Sequence, residues 1–519
     1  MEGETVMKRF LAVFLALTFV MCALCGCGGK TSTAAGSSDE TSASSGGTKS
    51  YEIVVGIPND LDSLDPYTMG KAGTREVMYN IFEGLVKIQP DGSYADAVAA
   101  SHTVSEDGLV YTFTLRDGVV FHNGKELTAD DVLYSLNQAC AESTSTSAAV
   151  KSALSAADIS AEGNDIIFTL ETANADFIAY LSAAYIVPCD YTEQASHPVG
   201  TGPFSFVSYS VQDSLVMEKN EAYYGNKPEM EKVTFKIFSD TNAAVIALEA
   251  GSLDMMAHLQ YDQISTLTNG YTVLDGTMNL AVALYLNNAV EPFNNELVRK
   301  AMCYAIDVDE VMDVACGGHG VKIGSSMFPN FSKYFDSSLA DSYPTDIEKA
   351  KELLTEAGYA DGFELEVKYP SEYEHPYGDM ALTIQQELAA IGINVKVSSV
   401  EDWYTEVYKG HDFQAVILGF DASTLTASSM LQRWTKDTYQ NMISYSNSEY
   451  NETFTAACEC TDDAEQTALY KRCLEILSET AANVYLMDLP EYVVINPELT
   501  GYEFFPLYIQ DMSTISYAK

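Results

Sequence analysis

The chain has 519 residues, 47% of them hydrophobic, and a formal net charge of −46. Such a charge repels nucleic acid and anionic lipid surfaces, so neither is expected as a partner. Length and apolar content support at least two compact units, with no later segment that reads as a transmembrane helix.

The first element is an export signal. Lys8 and Arg9 precede a nearly continuous apolar run from Phe10 to Leu24. That run of roughly 15 residues falls short of the about 20 a membrane-spanning helix needs. Glu2 and Glu4 fit a positive leader badly, which makes Met7 an alternative start to Met1. The stretch "LCGC", Leu24 to Cys27, is similar to a bacterial lipobox: an aliphatic residue, two small ones and the cysteine that takes lipid. The expectation is a signal peptide over 1–26 and a lipidated N-terminal Cys27, anchored at the extracytoplasmic face of the cell membrane without spanning it. The Gly/Ser/Thr tract after it, to residue 50, cannot bury enough apolar surface to fold and reads as a tether.

From Tyr51 the pattern turns regular. Ile53, Val55 and Ile57 alternate as in a half-buried strand, and a helix is expected from Thr74 to Phe82. "LVYTFTLRDGVVFHNG" reads as two strands about the turn Asp117-Gly118. Thr128 then caps a helix, with Asp131 at its third position. "NDIIFTLE" is another strand, and 94–191 reads as a small packed subdomain. "KVTFKIFSDTNAAVIALEAG" is strand, helix and a glycine stop at Gly251. Further on, Thr345 and Glu348 have capping-box spacing before a helix closed by Gly358. Alternating Phe363, Leu365, Val367 and Tyr369 come next, then a helix ended by Gly392 and a strand over 393–397. This is βαβ rhythm, so the chain is expected to be α/β.

Catalytic and metal signatures are missing from the sequence. There is no GxSxG elbow, HExxH helix, phosphate loop or dinucleotide fingerprint, and the seven histidines fall singly. Cys22, Cys25 and Cys27 belong to the leader region, which leaves seven of the 10 cysteines scattered through the body. Cys458 and Cys460 form a CxC with no second pair nearby. No enzyme activity, catalytic residue, metal or cofactor is expected.

An ordered series of blocks resembles bacterial extracellular solute-binding proteins of family 5, the oligopeptide, dipeptide and nickel import type. It runs "LDSLDP" (Leu61 to Pro66), "IFEGLVKIQPDG" (Ile81 to Gly92), and "VSEDGLVYTFTLRDGVVFHNGKELTADDVLYSL" (Val104 to Leu136). "VGTGPFSFVSY", "YYGNKPEMEKVTFKI", "LNNAVEPFNNELVRKAMCYAID" and "IEKAKELLTEAGY" complete it. Each block also has a structural reading, as turns and packed helices, and Arg299 and Lys300 read as solvated. The resemblance implies a two-lobed periplasmic-binding-protein-like clamshell of type II. Lobe one would span 51–284 plus 491–519, with the extra subdomain about 94–191, and lobe two 285–490. Ligand would sit between the lobes of a monomer. Hinge closure would then present it to an ABC permease driven by cytosolic ATPases.

In the peptide-binding branch of that family an Asp after a Gly-Trp-type segment meets the ligand amine. Asp421, after Gly419 and Phe420, is the nearest match here, and a loop residue satisfying backbone donors is its plain alternative. Trp403 and Trp434 are candidate aromatic walls, Arg433 a candidate for a ligand carboxylate, and Asn287 a candidate for ligand backbone or for fixing a crossover. The run "DASTLTAS" departs from the peptide-binding pattern. Short peptides are the expected cargo; a non-peptide solute such as a nickel chelate, or a ligand-sensing role, remains the alternative.

Overall fold

A computed structural model describes residues 51–518 except 175, 269, 423–425, 437 and 439. Cys27, the leader and the tether lie outside the described residues. Two large sheets organise the rest, a two-lobed α/β clamshell.

The first sheet has seven strands, in spatial order Thr272–Thr277, Pro490–Ile495, Met255–Leu259, Glu52–Ile57, Lys232–Ile237, Ser214–Lys219 and Phe204–Ser210. Glu52–Ile57 sits at its centre, parallel to both neighbours. Ile53, Val55 and Ile57 are buried, as their alternation predicts. The late strand Pro490–Ile495 enters antiparallel between Thr272–Thr277 and Met255–Leu259. The C-terminal region thus returns to the lobe in which the described chain begins.

The second sheet runs Val321–Lys322, Val484–Asp488, Ala281–Leu286, Ala415–Phe420, Glu364–Pro370 and Asn394–Val400. All six residues of "AVALYL" are buried, because this strand is covered on both faces. Ala281, Ala283 and Tyr285 enter one apolar cluster, and Val282, Leu284 and Leu286 enter the other. Glu364–Pro370 and Asn394–Val400 pair in parallel around the helix Asp379–Ala389, the expected βαβ unit.

A four-stranded antiparallel sheet forms the small subdomain, in order Ala99–Val104, Val110–Leu115, Asp165–Leu170 and Ala157–Glu162. The second strand expected after Asp117-Gly118 does not form. Val119 and Phe121 are buried, but their stretch makes only the isolated bridge Val120 to Glu126. Their alternation serves the core without a ladder. Thr128 and Asp131 behave as expected: the Thr128 backbone N–H donates to Asp131 Oδ2 at 3.0 Å at the start of the helix Ala129–Ala139. In the helix Ile347–Glu356 the cap is Asp346, which accepts from the Lys349 N–H at 2.9 Å, rather than Thr345.

The chain crosses from the first sheet to the second between Thr277 and Ala281, and returns between Asp488 and Pro490. Ala281–Leu286 therefore belongs with the second sheet, a few residues ahead of the 284/285 division read from the sequence. The two crossings are tied together. Met278 N–H donates to Leu489 O at 2.9 Å, and Leu280 N–H to Asp488 Oδ1 at 2.9 Å.

Candidate functional site

Three chambers line the junction of the lobes. The smallest, about 170 Å³, is lined by Arg75, Tyr79, Glu83 and Lys87 from the first lobe and by Asp421 from the second. A second, about 770 Å³, lies between the small subdomain and the second lobe, and Arg433 lines it. A third, about 810 Å³, is bordered by Trp403 and Tyr492. Tyr508 lines the first and third chambers, and Ser147 the first and second, so the three adjoin in series along the junction.

Asp421 comes directly after the strand Ala415–Phe420, where the end of a buried strand delivers a side chain to the junction. It is exposed, and its carboxylate makes no hydrogen bond or ion pair among the described residues. Arg433 is held beside it. The guanidinium lies 4.4 Å from the Phe420 ring centroid, while Nη2 donates to the Asp421 carbonyl at 3.1 Å and Nε to the Met430 carbonyl at 3.1 Å. The structure thus brings Asp421 and Arg433 together, with Arg433 partly committed to main chain. Trp403 is half-buried where Asn394–Val400 gives way to a helical turn, and its indole N–H donates to Glu372 Oε1 at 3.3 Å.

Trp434 and Asn287 do not face the cleft. Trp434 is 1% exposed, stacked on Tyr285 at 5.6 Å, and gives its indole N–H to Ser326 Oγ at 2.9 Å. It is adjacent to Arg433 in sequence, but successive helical residues point in different directions. Asn287 is 3% exposed and donates to the carbonyls of His411 and Phe413 at 3.3 and 3.1 Å. It fixes the crossover beside the strand Ala415–Phe420. Arg299 also differs from its sequence reading: it is buried, bonding the carbonyls of Ala481, Phe293 and Thr480 at 2.9, 2.8 and 3.0 Å.

Several cleft residues carried no sequence signal. Arg75 sits in the helix Ala72–Met78, its side chain making one hydrogen bond among the described residues, to the Gly70 carbonyl at 2.7 Å. Tyr508 belongs to a segment without regular secondary structure that no motif covers. Glu83 lay within a recognised block, yet its role emerges only in three dimensions. Its buried carboxylate accepts from Tyr223 at 2.7 Å, Tyr224 at 2.9 Å and Thr201 at 3.1 Å, with Lys87 Nζ at 3.5 Å. Three of the sequence blocks converge on that one group.

Comparison with known proteins agrees with this architecture. The family model "Bacterial extracellular solute-binding proteins, family 5 Middle" matches residues 93–442. The glutathione-binding protein GsiB of Pectobacterium atrosepticum is 27% identical over 478 residues, covering 88% of this chain and 92% of that protein. The periplasmic binding protein DppA of Helicobacter pylori, solved with the peptide STSA, superposes with a TM-score of 0.72 at 27% identity, over 90% of this chain and 98% of that one. The substrate-binding protein CtaP of Listeria monocytogenes shares the fold, with a TM-score of 0.81 at 22% identity, over 90% and 99% of the two chains. The chain belongs to the bacterial extracellular solute-binding proteins of family 5. It is an extracytoplasmic solute-binding protein, and the members of that family are non-catalytic components of transport.

Proposed function

We propose that this protein captures short peptides between its lobes and delivers them to the membrane permease of an ATP-driven importer. It does so from the outer face of the membrane, held by lipid on Cys27 and the tether behind it. The observation that carries the reading is Asp421, a carboxylate without a partner among the described residues, in the same chamber as Arg75 and Lys87. A zwitterion offers each of these groups a counter-charge, and partners from both lobes let binding favour the closed form. The H. pylori relative solved with a tetrapeptide, and the relative named for glutathione, a tripeptide, support the same cargo class. The division that serves this mechanism is lobe one over 51–277 and 490–518 and lobe two over 281–488, with the extra subdomain about 94–191.

Native mass spectrometry of a soluble form beginning at residue 28 tests the cargo. A spread of ejected masses that fragment as peptides is expected; one discrete non-peptide mass or a metal chelate would remove the peptide assignment while keeping the class. Loss of a charge-assisted hydrogen bond costs about 1.5–3 kcal/mol. Asp421→Asn should therefore weaken free-amine peptides about tenfold or more in calorimetric titration. N-acetylated analogues should lose far less. Equal losses for both would remove Asp421 from amine recognition.

A further inference from the structure

The largest chamber has a chemistry of its own, and a ligand reaches it only if a solute is captured between the lobes, the reading on which its role rests. Tyr261, Tyr492 and Tyr508 come to it from the first lobe, and Tyr373, Tyr377 and Trp403 from the second. Its ionisable carboxylates are Asp313 and Asp379, and no Lys or Arg is among its lining residues. Asp379 has one oxygen 2.6 Å from His375 Nδ1. Asp313 is exposed and forms no ion pair among the described residues. It stands in the last turn of the helix Val308–Cys316, where the helix already ends in partial negative charge. An acid there is unfavourable unless a cation joins it.

A second observation is independent of the carboxylates. The hydroxyl of Tyr492 is buried with no hydrogen-bond partner among the described residues, in a residue only 2% exposed, and this residue lines the chamber. Buried hydroxyls are ordinarily satisfied, and an orphaned one at a ligand chamber marks a contact that the free protein lacks. Aromatic faces, a lone carboxylate and a free phenol oxygen together describe a receptor for a cation that also donates hydrogen bonds. The small chamber at the other side of Tyr508 holds both signs, Arg75 and Lys87 with Glu83 and Asp421, whereas the large one holds carboxylates and no Lys or Arg.

We propose that the chamber bounded by Trp403, Tyr492 and Asp313 receives the cationic part of the ligand, a guanidinium or ammonium side chain. Asp313 is its counter-ion, the Tyr492 oxygen its acceptor and Trp403 its aromatic face. The preferred cargo is then a peptide with a basic side chain.

The test is a calorimetric scan of tetra-alanine carrying one arginine, or its neutral isostere citrulline, at each position in turn. At one position the arginine peptide should bind about tenfold tighter than its citrulline counterpart at low ionic strength. Asp313→Asn should bring the arginine peptide down to the affinity of the citrulline one, and Tyr492→Phe should narrow the gap. Equal affinities at every position, or a preference that survives Asp313→Asn, would overturn the assignment. If no peptide binds, tetra-alanine included, the peptide reading itself has failed. The chamber is then judged on agmatine: binding that Asp313→Asn abolishes supports the proposal, and no binding overturns it.

Discussion

Trp434 and Trp403 are of one residue type and stand at opposite ends of what a tryptophan does. Trp434 fills the core of the second lobe between Tyr285 and Ser326, whereas Trp403 keeps one side toward the largest chamber. Truncating the first should leave a cavity. Trp434→Ala is expected to cost about 3–5 kcal/mol in urea unfolding, a loss that Trp403→Ala, at a half-buried site, should not approach. Similar losses for both would show that Trp403 is a core residue as well. Glu83 teaches the same lesson for a charged group. Its donors come from two stretches far along the chain, Thr201 and the adjacent Tyr223 and Tyr224, and no local spacing links them to it.

At the scale of elements, periodicity found the strands and helices that build the lobes, and it failed where an apolar pattern had another use. Val119 and Phe121 alternate like a strand because they plug the subdomain core, with no partner strand to complete a ladder. Arg299 looked solvated in a helix rich in charge, yet it joins Glu296–Ala305 to the end of Asp463–Glu479. Two of its three carbonyl partners, Thr480 and Ala481, lie just past that helix, where a cation complements the dipole. Arg299→Met keeps the stem and orphans the acceptors. It should destabilise the protein by about 2–4 kcal/mol, read as a lower urea midpoint. A change within experimental error would show that water replaces the guanidinium.

At the scale of the whole molecule, what matters is the pair of crossings between the sheets. Asp488 is fully buried there and accepts from Leu280 of the other crossing. Burial pushes its carboxyl up to about 8. An unfolded aspartate titrates near 3.9, so between about pH 4 and pH 8 the folded state holds a proton that the unfolded state has lost. Its contribution to stability is fully present below that window and falls as pH rises through it. Asp488→Asn retains an acceptor oxygen and removes the titration. The urea midpoint of the native protein should therefore decline more between pH 5 and pH 8 than that of the variant. Parallel curves would assign the decline to other groups.

The α/β class and the ordered family blocks were legible in sequence alone, because they depend on composition and on periods of 2 and 3.6 along one segment. The burial of the strand from Ala281 to Leu286 was implicit in its unbroken apolar run. Asp421 was picked out by its match to the family Asp after a Gly-Trp-type segment, and it does follow a buried strand. Arg75, Tyr508, Tyr492 and Asp313 could not be grouped that way: they lie far apart in sequence and reach the cleft only when two sheets are set side by side. Trp434 was chosen by residue type and Asn287 by the family resemblance, and tertiary packing turned both inward by giving their donors buried acceptors. Local pattern determines which face of an element is apolar. Which polar groups then remain without a partner is decided only by the packing of elements distant in the chain, and those groups are the candidates for the site.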